Sequence, residues 1–113
     1  MADRITLDAF LDVDIRVGRI FKAEEFPQAR KPAYKLWIDF GELGERKSSA
    51  QITDLYAIDD LPGRQVLAVV NMVPRQIADF MSEVLVLGVP TDGHRNVVLI
   101  RPDHETVPGL RLL

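Results

Sequence analysis

A chain of 113 residues, 47% hydrophobic and 27% charged, is one ordinary soluble domain with apolar side chains enough for a modest core. It has no cysteine, which excludes disulfides, thiolate metal sites and a cysteine nucleophile. A net charge of -3 makes the summed field weakly repulsive to phosphate, so any binding of a polyanion has to come from a local patch.

In chain order, Thr6 to Leu11 reads as a short helix capped by Thr6 or Asp3, with Leu7, Phe10 and Leu11 spaced three and four apart on one face. That face is expected to cover the outside of a sheet. Asp14 to Glu25 is a long strand whose alternation flips near Gly18 and Arg19, which predicts a bulge or sharp bend. A long bent first strand is what a small five-stranded barrel needs, because it serves both halves of the closed sheet. Phe26 to Pro32 breaks the pattern and presents Arg30 and Lys31 between prolines.

Tyr34 to Phe40 alternates cleanly, with Tyr34, Leu36, Ile38 and Phe40 inward and Lys35, Trp37 and Asp39 outward. An outward tryptophan beside Lys35 is either a stacking platform or part of an interface. Arg46 to Ile52 returns after a turn as a polar strand with Ser48, Ala50 and Ile52 inward. Thr53 to Asp60 is a short helical or irregular bridge ending at Leu61-Pro62-Gly63.

Asn71 to Gly88 then joins two apolar runs. On the first, Val66, Ala68 and Val70 oppose Leu67 and Val69; on the second, Val84 and Val86 oppose Leu85, Leu87 and Val89. Strands apolar on both faces need cover on both sides, one from the domain's own core and the other from a helix or a second chain. Between them, Ile77, Phe80 and Met81 fit one helical turn packed on a core. Val89 to His94 is a loop with an Asp-Gly turn signal, Val97 to Ile100 a last strand, and Leu110, Leu112 and Leu113 make the tail apolar enough to dock. No repeat, low-complexity tract or boundary interrupts residues 1–113, so one domain is expected. No run of about 18 apolar residues and no apolar leader occurs, which predicts a cytoplasmic protein without membrane insertion.

Chemistry of catalysis is hard to find. His94 and His104 each neighbour an aspartate in loop sequence but lack further ligands in register, and they read as surface histidines rather than metal or acid-base groups. Ser48, Ser49 and Ser82 stand in no nucleophile elbow, and no glycine-rich phosphate loop appears. No enzyme, cofactor or metal is therefore expected. Binding is better supported. Arg30, Lys31 and Lys35 open the second strand, Arg46 and Lys47 the third, and Arg75 follows the fourth, so a closed barrel can gather them, although solvated surface charge explains the same spacing.

The motifs Asp14-Ile15-Arg16-Val17-Gly18-Arg19-Ile20, Lys35-Leu36-Trp37-Ile38-Asp39-Phe40-Gly41, Ser48-Ser49-Ala50-Gln51-Ile52 and Asn71-Met72-Val73-Pro74-Arg75 running into Ser82 closely resemble the bacterial CsaA proteins. Those belong to the wider family of tRNA-binding domains found beside methionyl-tRNA synthetases and as free dimeric tRNA-binding proteins. The resemblance covers essentially the whole chain. It implies a mainly β fold, a five-stranded OB-fold barrel with short N- and C-terminal helical or loop extensions. It also implies a homodimer, structure-selective tRNA binding, and a chaperone role toward unfolded preproteins or peptides, with export machinery as a further partner. The family's lysine falls on Lys35, its serine on Ser49, and its Asn-x-x-Pro-Arg and serine segment on Asn71, Pro74, Arg75 and Ser82. Where tandem tRNA-binding domains continue Ser-x-Gly-Met, this chain has Ser82-Glu83-Val84-Leu85, so the wider family's contacts there are not carried over.

The RNA contacts expected are thus Lys31, Lys35, Arg46, Lys47, Ser49, Asn71, Arg75 and Ser82. Peptide contacts are expected at Trp37, Phe80 and Met81, and the doubly apolar strands are available as a dimer seam.

Overall fold

Strict alternation over the second strand makes the centre of the molecule. In the computed structural model, which describes residues 1–94 and 96–113 with the side chain of His94 set aside, Leu36, Ile38 and Phe40 are completely buried and Tyr34 nearly so. The elements run α1 (Leu7–Leu11), β1 (Ile15–Glu25), β2 (Tyr34–Asp39), β3 (Glu45–Ala50), β4 (Gln65–Val69), β5 (Arg75–Ile77), β6 (Phe80–Ser82), β7 (Leu85–Val86), β8 (Gly88–Thr91) and β9 (Asn96–Leu99). One five-stranded sheet carries the order β3-β2-β1-β4-β7, every neighbour antiparallel, while β5–β6 and β8–β9 are separate hairpins.

The sheet curls until its β3 edge meets the segment after β6. There the Glu83 N–H donates to the Lys47 carbonyl at 2.8 Å, and the Ser48 hydroxyl donates to the Val84 carbonyl at 3.0 Å. The result is a nearly closed five-stranded barrel of the OB type. Its core joins Ile20, Leu36, Ile38, Phe40, Ile52, Leu61, Val66, Ala68 and Val84. A single 3-10 turn at Ile58–Asp60 bridges β3 to β4, as the sequence led us to expect, and Tyr56 beside it locks two strands. Its carbonyl accepts the Tyr34 hydroxyl at 2.8 Å and its own hydroxyl accepts the Leu99 N–H at 3.0 Å.

The bend in β1 lies slightly beyond the expected place. Register shifts between Ile20 and Lys22, leaving Phe21 on the bulge. Gly18 serves another purpose: a Cβ there would stand 2.5 Å from Ile38 Cγ2 and 2.7 Å from Phe40 Cε1, so only glycine lets β1 lie against the side chains at the end of β2.

Several local expectations are corrected. The segment around Ile77, Phe80 and Met81 is the β5–β6 hairpin rather than a helical turn, pairing Ile77 with Phe80 around Ala78 at φ 52°. Spacing of three and four over so short a window fits cross-strand partners as well as a helix. The apolar run Val84–Val89 is two strands, not one, because Gly88 lets the chain pass against Val97, where a Cβ would approach Val97 Cγ1 to 2.4 Å. Residues read as loop from Val89 form β8, paired with β9 through a turn at Asp92 and Gly93, which both take positive φ.

The helix does not cover the sheet. Thr6 caps it, accepting the Ala9 N–H at 3.1 Å, but five residues bury nothing, and Leu7 stays 69% exposed. The tail docks through backbone instead of leucines: the Gly109 N–H donates to the Val17 carbonyl at 2.7 Å and the Leu112 N–H to the Ile15 carbonyl at 2.8 Å. Leu110, Leu112 and Leu113 remain exposed. Among the described residues no helix is long and apolar enough to cross a membrane.

Replacing Gly18 with alanine is expected to destabilise the fold by about 1–3 kcal/mol through overpacking against Ile38 and Phe40. Urea unfolding measures this, and a midpoint equal to that of the parent would show that β1 has room to withdraw.

Candidate nucleic-acid interface

On the outward face of β2 and β3, Lys35 pairs with Ser49 and Trp37 with Lys47. Side chains of directly paired residues share a face, so these four stand together. The β5–β6 hairpin lies over this face. Two bonds from β3 hold it: the Ser49 N–H donates to Ser82 Oγ at 3.1 Å and the Lys47 N–H to Glu83 Oε1 at 3.1 Å.

Phe80, 5% exposed, is the hairpin's wedge. It meets Phe26 edge-on with centroids 5.5 Å apart and Trp37 edge-on at 5.8 Å. Edge-to-face contacts of this kind suit the ring quadrupoles and add to the burial they accompany. Lysines then stand on the rings. Lys35 Nζ lies 4.9 Å from the Phe26 centroid, Lys47 Nζ 5.2 Å from that of Phe80, and Lys22 Nζ 4.6 Å from that of Trp37. The aromatic cluster therefore presents a layer of ammonium groups to solvent instead of bare rings.

Beside the hairpin runs a trough of two lobes that share Ser49, Gln51, Arg75 and Ile77. One lobe, about 600 Å³, is lined by Arg30, Lys31 and Arg75 with no acidic side chain. The other, about 440 Å³, is mainly apolar, with Val84, Val86, Val97 and Leu99 as its floor and Met72 and Val73 on its rim. Its one carboxylate, Glu83, is occupied by the Lys47 N–H.

Four of the residues singled out from sequence, Lys31, Ser49, Arg75 and Ser82, line this trough, and Lys35 and Lys47 stand on the adjoining aromatic face. Two do not join them. Arg46 pairs with Ile38 in the inward phase and bonds the Leu43 carbonyl at 3.5 Å, on the opposite side from Lys47. Asn71 ties the chain entering β1 to the end of β4, accepting the Asp14 N–H at 2.9 Å and donating to the Asp12 carbonyl at 2.8 Å. Of the expected peptide contacts, Trp37 is half-buried and Phe80 fully so, while Met81 is exposed.

Sequence reasoning missed Lys22 and Phe26. Lys22 joins the Trp37 face only because the bulge at Phe21 resets the phase of β1, and Phe26 hid in a segment read as a pattern break. His104 is exposed beside Asp103, as expected of a surface histidine, whereas the reading of the His94 side chain lies outside the described residues. Among the described residues no group of three His, Cys, Asp or Glu is placed to hold a metal.

Residues 15–111 match the family described as "Putative tRNA binding domain". The chain belongs to the tRNA-binding-domain family. Within that family it is of the CsaA type: the chaperone CsaA of Bacillus anthracis strain Ames superposes with a TM-score of 0.92 at 47% identity, covering 98% of this chain and 100% of that one. The CsaA chaperone protein of Picrophilus torridus gives a TM-score of 0.89 at 48% identity, covering 97% and 100%. The methionine--tRNA ligase of Thiobacillus denitrificans is 37% identical over 115 residues, which are 97% of this chain and 16% of that protein. The chain thus spans only a small part of the length of the curated relatives it matches. All of the cationic layer and trough fall inside the matched tRNA-binding-domain segment.

Replacing Phe80 with alanine is expected to cost about 3–5 kcal/mol, as for other buried aromatics, and to shift Trp37 emission to the red. Unaltered emission in the folded variant would show that Phe80 does not shield the indole.

Proposed function

We propose that this domain works by binding, without catalysis, and that its ligand is tRNA held by its phosphates along the hairpin face and the trough. The observation that carries the reading is the lobe of Arg30, Lys31 and Arg75 with no acidic side chain, in a chain of net charge -3. Such a patch concentrates positive potential where the rest of the surface repels phosphate. Lys22, Lys35 and Lys47 extend it over the aromatic cluster. Because the rings beneath are covered by ammonium groups and by one another, the face suits the RNA backbone and its shape better than stacking of bases.

Salt dependence tests the reading. Affinity for tRNA is expected to fall steeply as salt rises. Neutralising Lys31 and Arg75 together should weaken binding about 10- to 100-fold and reduce the salt slope by about 2, while Arg46→Ala, on the other side, leaves both nearly unchanged. Affinity insensitive to salt, or retained in the double variant, would rule out phosphate contact.

The apolar lobe favours a second ligand, an unfolded segment of a preprotein, in keeping with an export chaperone of the cytoplasm and with the two similar chaperone proteins named above. Val73, 87% exposed on its rim, has no evident structural duty. We further infer a homodimer, because α1 leaves Leu7 and Leu11 open, the tail leaves Leu110 and Leu112 open, and β7 and β8 leave Leu85 and Val89 open. Sedimentation at micromolar concentration is expected to give twice the chain mass, and the protein is expected to slow aggregation of a denatured client. A single-chain mass would remove the dimer, and an unprotected client the chaperone role, each without touching the RNA result.

A further inference from the structure

Two arginines, one in β1 and one near the far end of the sequence, converge on the carboxylate of Asp14. Arg16 Nε lies 2.7 Å from Asp14 Oδ1 and its Nη2 donates to Oδ2 at 3.3 Å, while Arg111 Nε comes within 3.3 Å of the same Oδ1. Each arginine also spends a donor on a backbone carbonyl that belongs to an end of the chain. Arg16 Nη1 reaches Gly109 at 3.0 Å, and Arg111 Nη2 reaches Leu11, the last residue of α1, at 2.6 Å. The link therefore runs from the helix through Arg111 to Asp14, and back through Arg16 to the tail.

Asp14 is itself held from behind. Its N–H is taken by Asn71, and its carbonyl accepts the Val70 N–H at 2.9 Å, so its backbone is fixed to the chain just after β4. Only 23% of its side chain is exposed, and the Arg16 guanidinium beside it holds its pKa below the usual carboxylate value. Without that charge, two guanidinium groups would face one another with no counter-ion, which is the costly way to break a partly buried cluster.

We infer that Asp14 is a positioning residue which couples the amino-terminal helix to the carboxy-terminal tail, so that the two segments, with their open leucines, are held in one fixed arrangement. Arg111 stands between Leu110 and Leu112 in the chain and bonds the carbonyl of Leu11, so the end of α1 is held beside a tail whose leucines are exposed. Backbone pairing to β1 seats the tail along its length, whereas the carboxylate ties it to α1. Its role in assembly rests on the homodimer reading above; its role in ordering the ends does not.

The test is hydrogen exchange with sedimentation on the full chain. Asp14→Asn keeps the shape and removes the charge. It is expected to speed exchange at the Gly109 and Leu112 amides by on the order of tenfold, leave the core amide of Leu36 unchanged, and weaken self-association to a similar degree. Arg111→Ala leaves the Asp14 pair with Arg16 intact and carries the test should Asp14→Asn not fold; Arg111→Lys, which restores charge without the fork, should recover only part of the protection. Unchanged exchange at Gly109 and Leu112 overturns the coupling. Faster exchange with unchanged self-association overturns its part in assembly. A parent protein that sediments as a single chain defeats the dimer reading, and the exchange result still decides the positioning role.

Discussion

The open edge of β3 is the constraint on which the rest depends. A curled sheet of this length leaves one strand with unpaired backbone groups, and here that edge is satisfied by Glu83 and Val84 instead of a full strand. Ser48 makes this possible: its hydroxyl is short enough to be buried at the seam and still reach the Val84 carbonyl. The same seam fixes where the β5–β6 hairpin ends, since Ser82 and Glu83 hold the backbone of Ser49 and Lys47. Barrel closure and the shape of the candidate interface are thus one event.

Charge placement follows from that geometry. Because the hairpin folds onto β2 and β3, the lysines of those strands are raised over rings instead of hanging free, and Arg75 is carried to the point where the two lobes meet. A chain with a net negative charge can hold a phosphate-attracting face only if its carboxylates are kept elsewhere or occupied. Glu83, spent on the Lys47 amide, illustrates the second solution.

What could be read from sequence was what repeats with a short period. Tyr34 to Phe40 alternates without exception and was legible to the residue, as was the inward set of β3, because both rest on local pleat geometry. The hairpin was not legible: Ile77 and Phe80 satisfy a helical spacing and a cross-strand pairing equally, and what decides between them is the distant β3 edge. Phe26 and Lys22 were hidden for a related reason, since a bulge resets every phase after it. Arg46 shows the converse error, in which neighbours in sequence are taken as neighbours in space although successive strand residues face opposite ways.

β2 ends at Asp39, and the half of β1 beyond it would present a bare row of amides and carbonyls to any passing chain. The last residues fill that gap, with Gly41 and Gly109 passing so closely that a Cβ on either would come within 2.4 Å of the other segment's carbonyl oxygen. Residues 109–112 thereby seal the exposed half of β1. An edge that could have templated pairing with another chain is closed from within.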